Sequence, residues 1–300
     1  MGRDALAVHR FSHYAMSTLF EILVGGHDEA YAGQAAQAVF VEVERIERLF
    51  SRFDPGSEIS RINRLSPGES IPIGVETYEC LTLAEEIRKA TAGAFDINVR
   101  GLIKYDVGAS LSLLELARTA GGFEAGLRAS PGAPSPGLDL DLGGIGKGYA
   151  LDRVLDVLSD WGVGDALVHS GTSTAIGMGT SPGAGSPKRG WAVRVGGDWP
   201  CPGVPENIRI SGRAVSGSGT EVKGMHVLDP RKGGPAAGHP AAWASHPSAA
   251  VADALSTAFM VMSTEEVEAY CRRHPETWAL VVLDYGECRI FNPAVARECE

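Results

Sequence analysis

The sequence predicts an α+β fold, and three observations carry that prediction. Stretches with strand character and stretches with helical periodicity are interleaved along all 300 residues without a regular strand–helix–strand repeat, which argues against a doubly wound sheet. Turn formers abound, with 38 glycines and 17 prolines, and suit a loop-rich arrangement of mixed sheets flanked by helices. No self-similarity recurs at the roughly 20–50-residue periods of solenoids. The expected organisation is a single large domain over residues 1–300, with variable loops near 109–137 and 180–190.

Each element follows from a local pattern. Residues 16–24, MSTLFEILV, are rich in β-formers and partly alternating, and Gly25-Gly26 ends the strand they predict. A helix is expected over 29–50, where Ala35, Val39, Val43, Ile46 and Phe50 recur at three- and four-residue steps. FDPGSEISRIN, at 53–63, opens with a turn and offers Ser57 as the N-cap of a short helix. A longer helix over 75–91 ends at Gly93. The region 109–137 predicts an Ala/Leu/Gly-rich helical piece and then the loop SPGAPSPG. Residues 138–142 read as a strand that passes through glycines into a helix over about 148–161. Strands are expected at 165–169, 191–195, 208–211 and 225–228, then helices at 250–262 and 265–274, and a last strand near 280–283.

Composition excludes several classes of function. The formal net charge is −10, from 27 Lys and Arg against 37 Asp and Glu, and no basic stripe interrupts it, so a nucleic-acid partner is not expected. An anionic ligand therefore needs local positive groups. The five cysteines, Cys80, Cys201, Cys271, Cys288 and Cys299, are widely spaced with no C-x-x-C, and they read as reduced thiols. No apolar run reaches the length of a membrane span, the N-terminal residues lack a signal-peptide pattern, and Leu6 argues against myristoylation of Gly2. No membrane insertion is expected, and cytoplasmic residence is the default.

The stretch DLGGIGKGYALD, from Asp141 to Asp152, joins a carboxylate, four glycines and a lysine at the start of a helix. Glycines let a backbone turn tightly and approach a ligand, Lys147 offers a mobile cation, and a helix N-terminus favours anions. Taken alone it reads equally as a glycine-rich turn. A Walker loop needs Ser or Thr after the lysine, where this chain has Gly148, and the dinucleotide fingerprint needs other glycine offsets. Three more segments share its character: AGAFDINV with Asp96, HVLDPRKGG with His226 ahead of an Asp-Pro turn, and VADALSTAFMV. In the last, Asp253, Ser256 and Thr257 stand at i, i+3 and i+4, so their oxygens share one helix face, as a hard cation requires. The simpler readings are a helix N-terminal charge for Asp253, hydroxyls bonded back to the preceding turn for Ser256 and Thr257, and a partly buried strand residue for His226.

Order and wording across these segments resemble the FAD:protein FMN transferases, the ApbE family. The similar pieces are MSTLF, FDPGSEISRIN, GAFDINV, DLGGIGKGYALD, AVSGSGT, MHVLDPRKGGP and ADALSTAFMV, spread over residues 16–262. The resemblance implies an ApbE-like, T-fold-like α+β fold and Mg²⁺-dependent transfer of FMN from FAD to a Thr or Ser of an acceptor flavoprotein, releasing AMP. It implies flavin-nucleotide contacts at Met16, Phe53, Ala94, Phe95, Asp96, Asp141, Lys147 and Leu228. The metal would lie at the Gly144 carbonyl, Asp253, Ser256 and Thr257, with His226 acting on the acceptor hydroxyl and Lys147 stabilising charge. Two alternatives use the same site: a Mg²⁺-dependent FAD pyrophosphatase, with water as nucleophile, and a non-catalytic FAD-binding protein.

The chain departs from the family pattern in three ways. Many members carry Gly-Gly-Asp where this chain has Ser170-Gly171-Thr172-Ser173, so an acid is missing. Well-known members are exported or lipid-anchored, whereas no export signal is read here. Phe53 occupies a position that varies among members and bears on the balance between transfer and hydrolysis.

Overall fold

The computed structural model describes residues 7–104, 113–129, 137–182, 190–199, 201, 204, 206–219, 227–283 and 287–297. Strands β1 (Val8–Ala15) and β2 (Thr18–Gly25) form a hairpin closed by the Ala15–Thr18 pair. Met16 and Ser17 make its two-residue turn with φ of 49° and 60°, the left-handed values that match the twist of paired strands. Sequence reasoning found β2 but missed β1, because VHRFSHYA is an edge strand whose polar residues carry little β-propensity.

Helix α1 (Glu29–Phe50) has the predicted bounds; Asp28 caps it by accepting the Tyr31 amide, and the face from Ala32 to Phe50 is buried. Ser57 caps α2 (Glu58–Ile62) as expected. Strand β3 (Ser70–Ile73), α3 (Val75–Ala90) and α4 (Val99–Lys104) follow. The helical piece expected within 109–137 is instead a hairpin, β4 (Leu114–Thr119) and β5 (Gly122–Leu127), which pairs with β3 in a three-stranded sheet. Its leucines and alanines alternate across the sheet, so pairing overrides their helical propensity. The rest of that loop, and most of the 180–190 loop, lie outside the described residues.

Next come α5 (Gly146–Asp160), β6 (Asp165–Ser170), β7 (Thr174–Met178), β8 (Trp191–Arg194), β9 (Asn207–Ile210) and β10 (Arg213–Gly219). The chain continues through β11 (Leu228–Asp229), β12 (Gly234–Pro235) and β13 (Ala241–His246). It closes with α6 (Ala249–Val261), α7 (Thr264–Arg273), β14 (Trp278–Val282), β15 (Cys288–Phe291) and α8 (Pro293–Arg297). Eight strands build the main antiparallel sheet in the order β1-β2-β6-β7-β10-β13-β14-β15.

Strand alternation gives this sheet two buried faces. Phe20, Ile22 and Val24 point to one side, where they meet Val39 and Val43 of α1 and Leu151 and Val154 of α5. Leu167, Val215 and Leu280 point to the other, under Trp191, Ile208 and Ile210 of the β8–β9 pair. The helix-covered side positions the site, because α5 packs on both α1 and α6 and α6 lies across β10 and β13.

The cysteines correct the sequence reading. Cys201 and Cys288 form a disulfide with Cα atoms 5.2 Å apart, while Cys80 and Cys271 are free and buried. The two halves of the bridge are 87 residues apart, so spacing gave no sign of it. Structural disulfides belong to oxidising compartments and are rare in the cytosol, which weighs against the cytoplasmic default. Among the described residues no helix is long and apolar enough to cross a membrane. Alkylation of the denatured, unreduced protein followed by peptide mass spectrometry should label Cys80 and Cys271 and leave Cys201 and Cys288 unlabelled; labelling of all four would contradict the bridge.

Candidate active site

The glycine loop starts from residues 138–142, which form no regular secondary structure and join no sheet, contrary to the strand expected there. Side-chain amides hold them instead. Asn63 donates to the Leu140 carbonyl at 3.1 Å and accepts the Leu140 amide at 2.7 Å, and Asn98 Oδ1 accepts the Asp139 amide at 2.9 Å. The Asp141 amide donates to the Ile97 carbonyl at 2.8 Å. Three sequence motifs thereby become one body: the segment ending at Asn63, the GAFDINV turn and the glycine loop.

The GAFD turn follows from how α3 ends. Ala92 and Gly93 adopt φ of 50° and 79°, and the Gly93 amide returns to the Arg88 carbonyl at 2.8 Å, a left-handed helix stop. Ala94 and Phe95 are buried behind it. Asp96 Oδ1 accepts the Asn98 amide at 2.7 Å, yet burial pushes its carboxyl above the usual carboxylate range. Beside this turn, a Cβ added at Gly93 would lie 3.8 Å from Arg231 Cγ, so the Asp-Pro turn also abuts it.

Asp141 Oδ1 accepts the Gly143 amide at 2.9 Å, and its Oδ2 stands 3.5 Å from Arg52 Nε. The Ile145 and Gly146 amides turn back onto the Leu142 carbonyl and start α5. The loop then meets α6: a Cβ added at Gly144 would stand 3.2 Å from Thr257 Oγ1 and 3.3 Å from the Phe95 ring. Lys147 Nζ donates to the Gly143 carbonyl at 2.7 Å and lies 3.6 Å from Asp253 Oδ2. The Gly148 amide donates to that same oxygen at 3.2 Å. Amides of Gly143, Gly146 and Gly148 are thus bonded within the protein, not gathered into the anion cradle that the glycines suggested.

Asp253 is 4% exposed in an otherwise apolar helix. Burying a carboxylate costs on the order of several kcal/mol even after relaxation, so it needs partners. Its Oδ1 faces Thr174 Oγ1 at 3.3 Å and Ser216 Oγ at 3.4 Å, and its Oδ2 faces the Gly148 amide at 3.2 Å and Lys147 Nζ at 3.6 Å, all at or beyond the long end of ordinary hydrogen bonds. The carboxylate is compensated without being locked to one partner. Ser256, fully buried, donates to the Asp253 carbonyl at 2.9 Å and bonds Ser216 and Ser218. Thr257 also bonds back to the Asp253 carbonyl, at 3.3 Å, and reaches Ser218 at 3.4 Å. The three oxygens do share a face, turned toward β10 and the glycine loop.

Met16, in the left-handed turn, lays its side chain on the start of α5, with Cε 3.7 Å from a Cβ added at Gly146. Phe53 is 80% exposed, with the Arg52 guanidinium 4.7 Å from its ring centre. Leu228 is half-buried in the two-residue β11–β12 ladder, where Asp229 Oδ1 accepts the Arg231 amide at 2.9 Å and shapes the expected turn. His226 lies outside the described residues. The residue after it, Val227, packs on the core that contains Phe95 and Leu142.

Among the described residues no group of three or more His, Cys, Asp or Glu side chains forms a metal site. The Thr257 hydroxyl lies beside the main chain at Gly144, and the Asp253 carboxylate, one helical turn away, faces Lys147 and Gly148 of the same loop. An all-oxygen set with a single carboxylate suits Mg²⁺, which keeps several waters.

Sequence reasoning missed Asn63, Asn98, Thr174, Ser216, Ser218 and Asp152. A signal existed for three of them. Ser216 and Ser218 alternate at i, i+2, so one strand face is polar where it meets an apolar helix. Asp152 lies one helical turn after Gly148, on the same face.

The chain is similar to known proteins along most of its length. The family model described as the ApbE family matches residues 16–281. A Klebsiella pneumoniae FAD:protein FMN transferase is 27% identical over 287 residues, covering 86% of this chain and 79% of its own length. A Treponema pallidum protein of the same description is 25% identical and covers 94% of this chain and 86% of its own. Among solved structures, the apo flavinyl transferase ApbE of Pseudomonas stutzeri superposes with a TM-score of 0.77 at 23% identity, covering 100% of this chain and 99% of that one. The flavin transferase ApbE of Vibrio cholerae gives 0.78 at 19% identity, covering 98% and 100%.

The raised Asp96 pKa has a stability consequence. A carboxyl raised by burial leaves the fold most stable below its unfolded pKa, and that stability is lost as pH rises through the folded value. Asp96→Asn mimics the protonated form, so its thermal stability relative to the parent should increase from acid to neutral pH. A melting difference that is constant with pH would contradict a buried, ionised Asp96.

Proposed function

The chain belongs to the ApbE family, and from that footing we propose that it transfers FMN from FAD to a Thr or Ser hydroxyl of an acceptor protein, with Mg²⁺ and with release of AMP. The observation that carries the reading is the meeting of Gly144 with Thr257 and of Lys147 with Asp253, two segments more than a hundred residues apart in sequence. Such a convergence supports a site in which one cation and a set of oxygen ligands would share a single diphosphate.

Gly144, Asp253, Ser256 and Thr257 would hold the metal, with the Ser256 hydroxyl also bonded to Ser216 and Ser218 behind them. The bound ion would offset the negative charge that makes a diphosphate resist nucleophiles. Lys147 sits within reach of Asp253 and supplies a cation for the oxygens of the diphosphate. Met16 and Phe95, which lie against the loop, would bind the flavin nucleotide together with Phe53, Ala94, Asp96, Asp141 and Leu228. An exposed Phe53 with an arginine on one face leaves an aromatic surface for a planar ring.

The acceptor hydroxyl attacks the FMN-side phosphorus, the bond from that phosphorus to the bridging oxygen breaks, and AMP departs with the oxygen. His226, next to the Asp-Pro turn, takes the hydroxyl proton; an imidazole titrating near neutrality suits that task.

Two outcomes test the proposal. Incubating the protein with FAD, Mg²⁺ and a candidate acceptor should add FMN to a Thr or Ser, read by mass spectrometry; prompt AMP release with no acceptor present would identify an FAD pyrophosphatase instead. His226→Ala should retain FAD binding and lose roughly 10²- to 10⁴-fold in transfer, whereas transfer at the parental rate would remove His226 from the base role.

A further inference from the structure

Helix α6 is anchored by a residue that belongs to another helix. The first amides of any α-helix have no partner within it. Here Ser248 Oγ accepts the Val251 amide at 3.3 Å, and Asp152 of α5 takes the two before it, the Ala249 amide at 2.6 Å and the Ala250 amide at 3.0 Å. The Ser248 hydroxyl also donates to Asp152, at 2.6 Å. One carboxylate from α5 thus takes two of the first amides of α6 together with the cap hydroxyl, and places a negative charge at the positive end of its dipole.

One turn earlier on α5, Gly148 makes the second attachment. A Cβ there would overlap the carbonyl oxygen of Ala249, so only glycine lets the two helices come this close. Its amide also reaches Asp253. Two points one turn apart on α5 therefore fix both the height and the tilt of α6. Asp253 follows Ala249 by one turn and Thr257 by two, so any shift at the anchor passes along a rigid rod to both. A slip of one residue would move them by about 1.5 Å, whereas Mg²⁺ requires ligands near 2.0–2.1 Å in close to octahedral order.

We propose that Asp152 is a positioning residue for the cation site: by clamping the α6 N-terminus on α5 it sets where Asp253 and Thr257 stand relative to Gly144, without touching the ion. The proposal rests on the reading of α6 as the metal-bearing helix. Burial raises the Asp152 carboxyl above its usual range despite its three donors, so the fold carries this anion at a cost that a simple exposed cap would avoid.

The test is Mn²⁺ binding to the protein saturated with FAD, without acceptor, followed by electron paramagnetic resonance. FAD affinity without metal, helix content and melting temperature are recorded alongside. Asp152→Ala should weaken Mn²⁺ binding by roughly 10- to 100-fold, as loss of a residue supporting a ligand does, while metal-free FAD affinity stays within about two-fold of the parent. Asp152→Asn, which keeps an acceptor without charge, should recover part of the loss. Ser248→Ala, the milder variant should Asp152→Ala not fold, removes one donor and should show a smaller loss in the same direction. A folded Asp152→Ala or Ser248→Ala protein that melts earlier but binds Mn²⁺ like the parent would reduce Asp152 to a structural cap and overturn the proposal. If the parent binds no Mn²⁺, the metal reading itself fails and the positioning role with it.

Discussion

The close approach of α5 and α6 at Gly148 is the constraint on which the rest of the molecule depends. Without a Cβ at that position the helices meet backbone to backbone, and a Gly148 amide from the first turn of α5 reaches a carboxylate in the middle of α6. The glycine loop enters α5 just before this contact, and Thr257 stands on α6 one turn after Asp253. Loop and helix are therefore held together by their own packing before any ligand arrives, which is the preorganisation that electrostatic catalysis requires.

Charge explains why the site is built from so few groups. A chain with a formal charge of −10 repels a flavin diphosphate at long range, so attraction has to be local. In the proposed site Lys147 would supply one cation, and a hard ion held by oxygens would supply the other. Around Asp253 the protein uses hydroxyls rather than further charges: Thr174, Ser216, Ser218 and Ser256 form a buried network against the helix. Hydroxyls can donate or accept by rotating, so they satisfy the carboxylate in either state of the site. A second buried carboxylate would have added like-charge repulsion.

Much of this was legible in the sequence, and the failures share causes. Periodicity gave α1 its bounds, and Ser57 was visible as a cap, because both signals are local. The i, i+3, i+4 oxygens of α6 were visible for the same reason. The edge strand β1 was missed because its polar residues leave a weak local pattern, and β7 and β10 because they pair with each other from about forty residues apart. The residues 114–127 read as helical from their alanines and leucines but pair with β3 as a hairpin. Residues 138–142 looked like a strand and are held instead by Asn63 and Asn98, whose amides imitate a neighbouring strand. The Cys201–Cys288 bridge had no sequence signature, since its halves come together only through the tertiary fold.

A crystal of the protein grown with FAD and Mn²⁺ tests the convergence most directly, through the anomalous signal of the metal. The expected result is one peak at coordination distance from the Asp253 carboxylate, the Thr257 hydroxyl and the Gly144 carbonyl, with the FAD diphosphate on it and Lys147 alongside. A metal and diphosphate bound away from the seam of the loop and α6, with Asp253 still facing only Lys147, Gly148 and the hydroxyls of Thr174 and Ser216, would contradict it.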